Sequence, residues 1–396
     1  MSGSRPRWAA TWRPNCWRTA DAANSPNGNL HVPTPERTTI GWDIGGAHVK
    51  ACLLQGGEVV DVAQWGCPLW QGLDHLARAL QAARVRWPAF DAAQHAVTMT
   101  GEMVDLFPDR EAGVRGIAAA LAAALPSRPG ALHFFAGDAG WCTPAQVTRH
   151  WEHIASANWL ATARHAALVF PQGVLVDIGS TTTDLIAFGN DCVLTTSRTD
   201  AERLVSGELA YHGVVRTPVC ALTQRIEWRG QASHVMNEFF ATTADVYRLC
   251  GELDPAHDLY PSADNAAKSL PATRQRLARM VGLDERDATA EEWLELARAW
   301  RAAQVEAIGS QLRRVLAAHA LSREAVIVSA GCGAFLVPDL ATGVGASNAT
   351  SVPHRFASYG SGVADVARHA AAGITAWAQV CAPSVAVAAL FEREHD

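Results

Sequence analysis

Lysine is almost absent from this sequence of 396 residues, since Lys50 and Lys268 are the only two, against 31 arginines. The chain also lacks an excess of positive charge, because its formal net charge is −6. A chain without a basic surface is not expected to bind nucleic acid. Lys50 closes a glycine-turn motif, and a hairpin there points it toward or away from a cleft depending on register, with a solvated position favoured.

Paired cysteines are absent as well. The nine cysteines are scattered, none forms a CxxC pair, and their odd number argues against a disulfide framework. Free thiols in a reducing compartment are the expected state. The sequence therefore predicts a cytoplasmic protein.

An uninterrupted apolar run long enough to cross a membrane is also missing. Residues 370–391 carry no charge, but alanine dominates them and Gly373 and Pro383 interrupt them. Two buried segments joined near Pro383 are expected rather than a membrane span. Residues 1–37 show no apolar period and no continuous apolar core, so we expect a disordered N-terminal extension and no secretory signal.

The sequence does contain an internal repeat. One unit reads as strand, glycine turn and strand at 38–55, a strand at 57–64, a helix at 71–87, a strand at 96–102 and a helix at 113–125. The pattern starts again at 173, with a third strand expected at 191–197. Asp43 and Asp177 end the two first strands and lie 134 positions apart. A repeat of this size predicts a duplicated α/β domain, with one half over 38–170 and the other over 171–396.

The second half carries additional segments. A long helix is expected at 291–321, and it leads into a strand, a glycine turn and a helix start at 324–338. Residues 198–290 are less regular and rich in polar clusters, which favours a substrate-facing insertion. The final helices, at about 362–391, are expected to pack back on the first half.

Three glycine turns follow three apolar strands: DIGGAHVK at 43–50, DIGSTTTD at 177–184 and SAGCGAF at 329–335. Glycine lets backbone amides approach a phosphate, hydroxyls add donors, and an aspartate beside them can hold Mg²⁺. Each loop alone is readable as an ordinary hairpin turn, but two matched copies and a third turn favour a phosphate–metal site between the halves. The expected metal ligands are Asp43 and Asp177. The expected phosphate-binding residues are Gly45, Gly46, Gly179, Ser180, Thr181, Thr182, Gly331 and Gly333.

These turns resemble the motifs of a known superfamily. Asp43-Ile44-Gly45-Gly46 and Asp177-Ile178-Gly179-Ser180-Thr181 are similar to the two phosphate motifs of the actin-like ATPases. Ser329-Ala330-Gly331-Cys332-Gly333 resembles the adenosine motif of the same superfamily. The resemblance implies two duplicated ribonuclease-H-like domains around a central cleft.

A narrower resemblance covers most of residues 38–391. It rests on MTGEMVDLFPDREAGV (99–114), ASANW (155–159), DIGSTTTD, RTDAERLVSGELAYHGVVRTPVC (198–220), ATTADVYRLCGE (241–252) and CAPSVAVA (381–388). These stretches resemble hydantoinase/oxoprolinase-like proteins linked to tetrahydromethanopterin one-carbon metabolism, whose characterised archaeal members are synthases of methanofuran biosynthesis. The resemblance implies a transferase that joins an aminomethylfuran-methyl diphosphate to γ-glutamyltyramine or a related phenol. It forms an aryl ether and releases pyrophosphate.

The implied chemistry assigns roles to residues. A leaving pyrophosphate needs Mg²⁺ and hydrogen-bond donors, and an attacking phenol with a pKa of about 10 must lose its proton. The candidate catalytic acids are Asp43 and Asp177 and, as alternative bases, Glu102, Asp184, Glu208 and Asp245. The candidate substrate-binding residues are Arg198, Arg203 and Arg216 for a phosphate or a glutamyl carboxylate, Asp200 for a substrate amine, and Lys268.

Two other functions are alternatives. The same fold serves ATP-dependent small-molecule kinases and hydantoinase-type hydrolases, and a nucleotide-binding regulatory or scaffold protein is a third class. The short third turn favours the transferase, and the polar insertion disfavours a scaffold. Small molecules are the expected partners, Mg²⁺ is the expected cofactor and ATP binding is left open. The oligomeric state is also left open, with a dimer as one option.

Overall fold

The computed structural model describes residues 37–322, 324–340 and 355–395. The expected N-terminal extension therefore lies outside the described residues, except for Arg37. The described chain contains two large mixed sheets. The first has the strand order β3-β2-β1-β4-β5-β6, in which β1 pairs antiparallel with β2 and parallel with β4. Its strands are β1 Thr38–Ile44, β2 His48–Gln55, β3 Glu58–Gly66, β4 Gln94–Met99, β5 Leu132–Phe135 and β6 Trp141–Cys142.

The second sheet repeats this arrangement. Its strand order is β10-β8-β7-β13-β14, with β9 also pairing to β8. The central strand β7 pairs antiparallel with β8 and parallel with β13, as β1 does with β2 and β4. This matching topology confirms the expected duplicated α/β fold. The strands are β7 Gln172–Ile178, β8 Thr183–Gly189, β9 Cys192–Val193, β10 Leu209–Ala210, the separate hairpin β11 Arg225–Trp228 and β12 Gln231–His234, β13 Val326–Ala330 and β14 Phe356–Ser358.

Helices connect and cover the sheets, and four of the helices in the described ranges begin with a side-chain cap or a capping box. Helix α8 begins after Thr289, whose hydroxyl accepts from the amide of Glu292, while the Glu292 side chain binds back to the Thr289 amide. The helices are α1 Asp74–Arg86, α2 Arg110–Ala124, α3 Val147–Ile154, α4 Asn158–Val169, α5 Asp200–Ser206, α6 Thr243–Cys250, α7 Leu270–Arg279, α8 Ala290–Ala318, α9 Tyr359–Gly362, α10 Ile374–Val380 and α11 Ala382–His395.

The prediction of a third strand at 191–197 is wrong over most of that range, because β9 covers only Cys192–Val193. The following residues bind one another locally. The Thr195 hydroxyl accepts from the amide of Ser197 at 3.1 Å, and Arg198 Nη1 donates to the Thr195 carbonyl oxygen at 2.7 Å. Such side-chain bonds compete with a strand ladder.

Helix α11 packs against α4 and against strands β1, β2 and β4 of the first sheet. Gly41 allows this close approach, since a Cβ there would lie 2.1 Å from the carbonyl oxygen of Ser384. No single helix in the described ranges is long and apolar enough to cross a membrane. Helices α10 and α11 reach that length and composition only when they are counted together across a bend of 94°.

Seven cysteines of the described ranges are free thiols: Cys52, Cys67, Cys142, Cys220, Cys250, Cys332 and Cys381. The expectation of free thiols is wrong for Cys192, which is disulfide-bonded. Burial raises the pKa of Cys332 to about 11 and that of Cys381 to about 12. Thiols with such pKa values are protonated and unreactive at neutral pH.

Candidate active site

A cavity of about 320 Å³ opens where the ends of β1 and β7 meet. Both halves and the polar insertion contribute to its wall. The lining residues that the sequence singled out as site residues are Asp43, Gly45, Gly46, Asp177, Gly179, Ser180, Thr181, Thr182, Asp184, Asp200, Arg203 and Arg216. The structure thus brings most of the predicted site into one cleft.

The first turn joins β1 to β2 and leaves no room for side chains at its glycines. The Gly45 amide donates to the carbonyl oxygen of His48 at 2.9 Å, and a Cβ at Gly45 would lie 2.9 Å from that same oxygen. A Cβ at Gly46 would lie 2.8 Å from Val104. Glycine therefore keeps the backbone of this turn accessible from the cavity.

The second turn joins β7 to β8 and is held from behind. The Gly179 amide donates to the Thr182 carbonyl oxygen at 2.8 Å, and the amides of Val215 and Arg216 donate to the Ser180 carbonyl oxygen. Within the described residues, the amides of Ser180 and Thr181 have no protein acceptor. Their donors and the neighbouring hydroxyls are the groups that a phosphate needs.

The two hairpins differ in the charges that face each other at equivalent positions. Asp43 of β1 lies opposite Lys50 of β2, whereas Asp177 of β7 lies opposite Asp184 of β8. All four side chains line the cavity. Lys50 donates a hydrogen bond to the carbonyl oxygen of Val380 at 3.0 Å, so the favoured solvated position for this lysine is wrong.

Burial dominates the electrostatics of these groups. It raises the pKa of Asp177 to about 7, with a further rise from the charge of Asp184. It raises the pKa of Asp43 to about 6, although the charge of Lys50 acts in the opposite direction. Burial alone would lower the pKa of Lys50, but the acidic groups around it raise it above its ordinary value. Positive charge in the cleft stabilises the ionised carboxylates.

The acid pair fits Mg²⁺ when a ligand completes the coordination. Asp43 Oδ1 is buried and has no hydrogen-bond partner among the described residues. No group of three or more His, Cys, Asp or Glu side chains in the described ranges is arranged to hold a metal by itself. Mg²⁺ commonly takes one or two protein carboxylates and fills its other positions with water and phosphate oxygens. Asp43 and Asp177 offer that incomplete set.

An ion-pair chain continues from Asp184 into the first half. Arg203 Nη1 donates to Asp184, and its Nη2 donates to Asp200 Oδ1 at 2.8 Å. Arg110 Nη2 donates to Asp200 Oδ2 and to Ser156 Oγ, which donates to Glu102 Oε1 at 2.7 Å. Both oxygens of Asp200 are therefore occupied by arginines. Asp200 also lines the cavity, so its expected role toward a substrate amine stays a prediction.

Glu102 lies behind this chain rather than on the cavity wall. Its side chain is fully buried, and burial raises its pKa to about 6, while the hydrogen bond from Ser156 acts in the opposite direction. Ser156, with φ +50°, lies between this acid and the cavity. Glu102 therefore does not reach a substrate directly.

Four other sequence-selected residues lie outside the cleft. Glu208 accepts from Ser206 and pairs with His319, and Asp245 pairs with Arg248 and Arg276 at the start of α6. Outside the cleft as well, Arg198 pairs with Asp138 and Lys268 with Asp258. The structure thus satisfies each of these charges within the protein.

The third turn lies behind the second rather than on the cavity wall. The Gly333 amide donates to the carbonyl oxygen of Ile178 at 2.8 Å. Gly331 has φ +81°, and a Cβ there would lie 2.2 Å from the same oxygen and 2.5 Å from Asp177 Oδ1. Gly331 and Gly333 therefore fix the position of Asp177 and are not among the residues that line the cavity.

The sequence reading missed several groups at the cleft, among them Arg110 and Ser156 of the ion-pair chain and the cavity-lining His48 and Tyr211. The stretches that carry the narrower resemblance could have pointed to three of these four residues, because Arg110, Ser156 and Tyr211 lie within 99–114, 155–159 and 198–220. Their roles depend on contacts over long sequence separations.

A family model described as Hydantoinase/oxoprolinase matches residues 93–370, which is more than half of the chain. The chain belongs to the hydantoinase/oxoprolinase family. The match spans the second and third turns and the whole polar insertion. It also includes the loop before α2 that carries Glu102.

Two curated relatives of this hydantoinase/oxoprolinase family protein share one name, (4-{4-[2-(γ-L-glutamylamino)ethyl]phenoxymethyl}furan-2-yl)methanamine synthase. The protein of Methanocaldococcus jannaschii is 28% identical over 260 residues, covering 65% of this chain and 76% of its own. The protein of Methanococcus vannielii is 28% identical over 194 residues, covering 48% of this chain and 84% of its own. The named product is an aryl ether that joins a furan to a γ-glutamylated phenol.

Solved structures also align with this family member. A ROK family glucokinase from Streptomyces griseus, in complex with glucose and AMPPNP, aligns with TM-score 0.46 and 13% identity over 89% of this chain and 98% of its own. Component A of (R)-2-hydroxyglutaryl-CoA dehydratase from Acidaminococcus fermentans aligns with TM-score 0.41 and 12% identity over 91% and 100%.

Proposed function

We propose that this protein is a transferase that condenses [5-(aminomethyl)furan-3-yl]methyl diphosphate with γ-glutamyltyramine or a related phenol. The product is an aryl ether, and the reaction serves the biosynthesis of a one-carbon carrier of the methanofuran type. Two features support the proposal: the ether named in both curated relatives and the composition of the cleft. Both relatives are synthases by name.

The proposed reaction exchanges one carbon–oxygen bond for another. The bond between the furanylmethyl carbon and the ester oxygen of the diphosphate breaks, and its electron pair leaves with pyrophosphate. The phenol oxygen forms the new bond to the same carbon, and the phenol proton passes to a base. The furan ring can stabilise positive charge at that carbon, so the main task of the protein is to stabilise the leaving group.

One observation carries the proposal: two duplicated turns line a single cavity, each with an aspartate and glycine backbone, and the second also with the hydroxyls of Ser180, Thr181 and Thr182. We expect the amides of Ser180, Thr181 and Gly46 to bind phosphate oxygens, whereas the Gly45 amide already donates to the carbonyl oxygen of His48. Lys50 supplies the positive charge near the aspartates. When bound, Mg²⁺ would be held by Asp43 and Asp177 and would neutralise the charge of the departing pyrophosphate.

Asp184 is the best-placed base among the sequence candidates. It lines the cavity, whereas Glu102, Glu208 and Asp245 do not, and Asp43 and Asp177 are assigned to the metal. Burial raises the pKa of Asp184, while the guanidinium of Arg203 acts in the opposite direction and favours the ionised form that accepts a proton. One oxygen of Asp184 binds Arg203, which leaves the other for the phenol.

The experiment is an incubation of the protein with the furanylmethyl diphosphate, γ-glutamyltyramine and Mg²⁺, with pyrophosphate and ether quantified. We expect pyrophosphate release that depends on both organic substrates, and an ether of the combined mass. Omission of either substrate or of Mg²⁺ supplies the control. A parallel incubation also contains ATP. Release of ADP there, without ether in either incubation, would contradict the proposal and favour the ATP-dependent hydrolase or kinase of the same fold.

A further inference from the structure

Arg216 is a cation of the cleft whose side chain forms no ion pair and no hydrogen bond with the other described residues. Within the described residues it forms no ion pair, whereas Arg203 binds two aspartates and Lys50 binds the carbonyl oxygen of Val380. The Arg216 backbone is fixed, since its amide donates to the Ser180 carbonyl oxygen at 2.8 Å. An unpaired guanidinium on a cavity wall is a binding group for an anion.

The side chain of Arg216 is held by an aromatic ring from the opposite half. Its guanidinium carbon lies 5.4 Å from the ring centroid of Trp70. Trp70 follows Leu69, whose amide donates to the Gly46 carbonyl oxygen at 3.0 Å, so the ring is attached to the first turn. A cation–π contact positions the guanidinium and leaves its N–H donors for a ligand.

An aromatic row extends from Trp70 through Tyr260 to His48, which lines the cavity. The ring centroids of Trp70 and Tyr260 are 5.5 Å apart, and those of Tyr260 and His48 are 5.3 Å apart. The Tyr260 hydroxyl donates to the carbonyl oxygen of Ala47 in the first turn. Burial lowers the pKa of His48 to about 3, so this ring is neutral. The row is an uncharged aromatic surface beside Arg216, with its rings inclined at 48° and 64° to one another.

We infer that Arg216 and Trp70 form the subsite for the free carboxylate of the acceptor, with the aromatic row beside its phenyl ring. The inference rests on the proposed function. Depth in the cleft separates this subsite from the diphosphate site, because Asp43 is 6% exposed whereas Arg216 is an exposed residue. A planar guanidinium also matches a carboxylate through two parallel hydrogen bonds. The γ-glutamyl group places its carboxylate at the end remote from the phenol.

The test compares two acceptors that differ in this group. The KM values of γ-glutamyltyramine, of tyramine, which lacks the glutamyl carboxylate, and of the diphosphate are measured for the wild type, Arg216→Ala and Arg216→Lys. We expect Arg216→Ala to raise the KM of γ-glutamyltyramine by about 10- to 100-fold. The KM of tyramine and of the diphosphate should not change. Arg216→Lys should raise the KM of γ-glutamyltyramine less than Arg216→Ala does, because lysine keeps the positive charge but cannot form the two parallel hydrogen bonds of a guanidinium.

Several results would overturn the inference. A raised KM for the diphosphate in Arg216→Ala would assign the guanidinium to the phosphates, and equal effects on both acceptors would exclude a carboxylate contact. Arg149→Ala, an exposed arginine outside the cleft, is the matched control. If the wild type makes no ether, the proposed function fails separately. Calorimetric titration of γ-glutamyltyramine then still tests the subsite, with equal affinity in wild type and Arg216→Ala contradicting it.

Discussion

Asp177 lies directly opposite Asp184 across strands β7 and β8. In the first half, Asp43 lies opposite Lys50 across β1 and β2, so Asp184 takes the position equivalent to that of Lys50. The duplicated hairpins therefore differ by a charge reversal at one equivalent site. Like charges directly opposite each other in a sheet are destabilising. Arg203 binds Asp184, and the charge of Lys50 acts to lower the pKa of Asp177, so cations of the protein compensate this pair. We propose that phosphate binds in the space between these four side chains.

We predict that Asp177→Asn abolishes turnover and preserves the fold. Loss of one group that holds the charge of the leaving pyrophosphate should lower kcat/KM by more than about 100-fold. The variant should be at least as stable as the wild type at pH 8, because burial and Asp184 raise the pKa of Asp177 and make its ionised form unfavourable. Pyrophosphate release and a thermal unfolding scan measure the two effects.

The control for this variant is Asp105→Asn, an exposed aspartate outside the cleft. It should keep wild-type activity. Unchanged turnover in Asp177→Asn, or unfolding of the variant at room temperature, would contradict the assignment of Asp177.

The approach of α11 to β1 predicts a large effect of a single methyl group. Gly41→Ala should lower the free energy of unfolding by about 3 kcal/mol, because the new Cβ would lie 2.1 Å from a backbone oxygen of α11. Urea denaturation measures the loss. Gly189→Ala is the matched control within β8, since its Cβ would meet its nearest atoms at 3.6 Å. Equal stability of the two variants would contradict this packing.

Much of the fold was readable from local pattern. The strands around DIGGAHVK and DIGSTTTD and the long helix α8 follow from apolar runs, glycine turns and a capping box, all of which act within a few residues. The expected third strand at 191–197 could not be judged from local pattern, because a hydroxyl side chain of that segment binds the backbone and the strand ladder does not continue. Patterns of strand length do not report such local competition.

The site was only partly readable, because the partner of a charged residue is set by tertiary structure. Glu208 and Asp245 have the composition of catalytic acids, yet their partners are His319 and two arginines. Lys50 has no local signal for its direction, which follows from its register opposite Asp43. The aspartates of the turns were readable because a strand end fixes their position.

The ion pair between Arg110 and Asp200 predicts energetic coupling between α2 and α5. Asp200→Asn should destabilise by about 3 kcal/mol, because the buried Arg203 loses one of two carboxylate partners. A double-mutant cycle with Arg110→Met should give a coupling energy of about 1 to 3 kcal/mol in urea denaturation. Additive effects within about 0.5 kcal/mol would show that the pair does not couple these helices.

Glu208 predicts a pH-dependent contribution to stability. Burial alone would raise its pKa, but hydrogen bonds from His319, Ser206 and Thr195 outweigh burial and lower the pKa to about 2. Because this value is below the ordinary 4.5, the stabilisation is complete above pH 4.5 and is lost as the pH falls toward 2. Glu208→Gln should therefore cost about 3 kcal/mol at pH 7 and progressively less below pH 4.5.

Urea denaturation of wild type and Glu208→Gln across this pH range measures the difference. The exposed Glu295→Gln serves as the control and should show no such dependence. A constant difference between wild type and Glu208→Gln from pH 7 to pH 3 would contradict the assigned hydrogen bonds.

The central claim is that the phosphates bound between the two turns belong to the leaving group of the carbon donor. The most direct measurement uses furanylmethyl diphosphate with ¹⁸O at the bridging ester position, together with γ-glutamyltyramine and Mg²⁺. Carbon–oxygen cleavage predicts that all of the label appears in pyrophosphate and that the ether carries the unlabelled phenol oxygen. Label retained in furanylmethanol, which requires phosphorus–oxygen cleavage, would contradict the account.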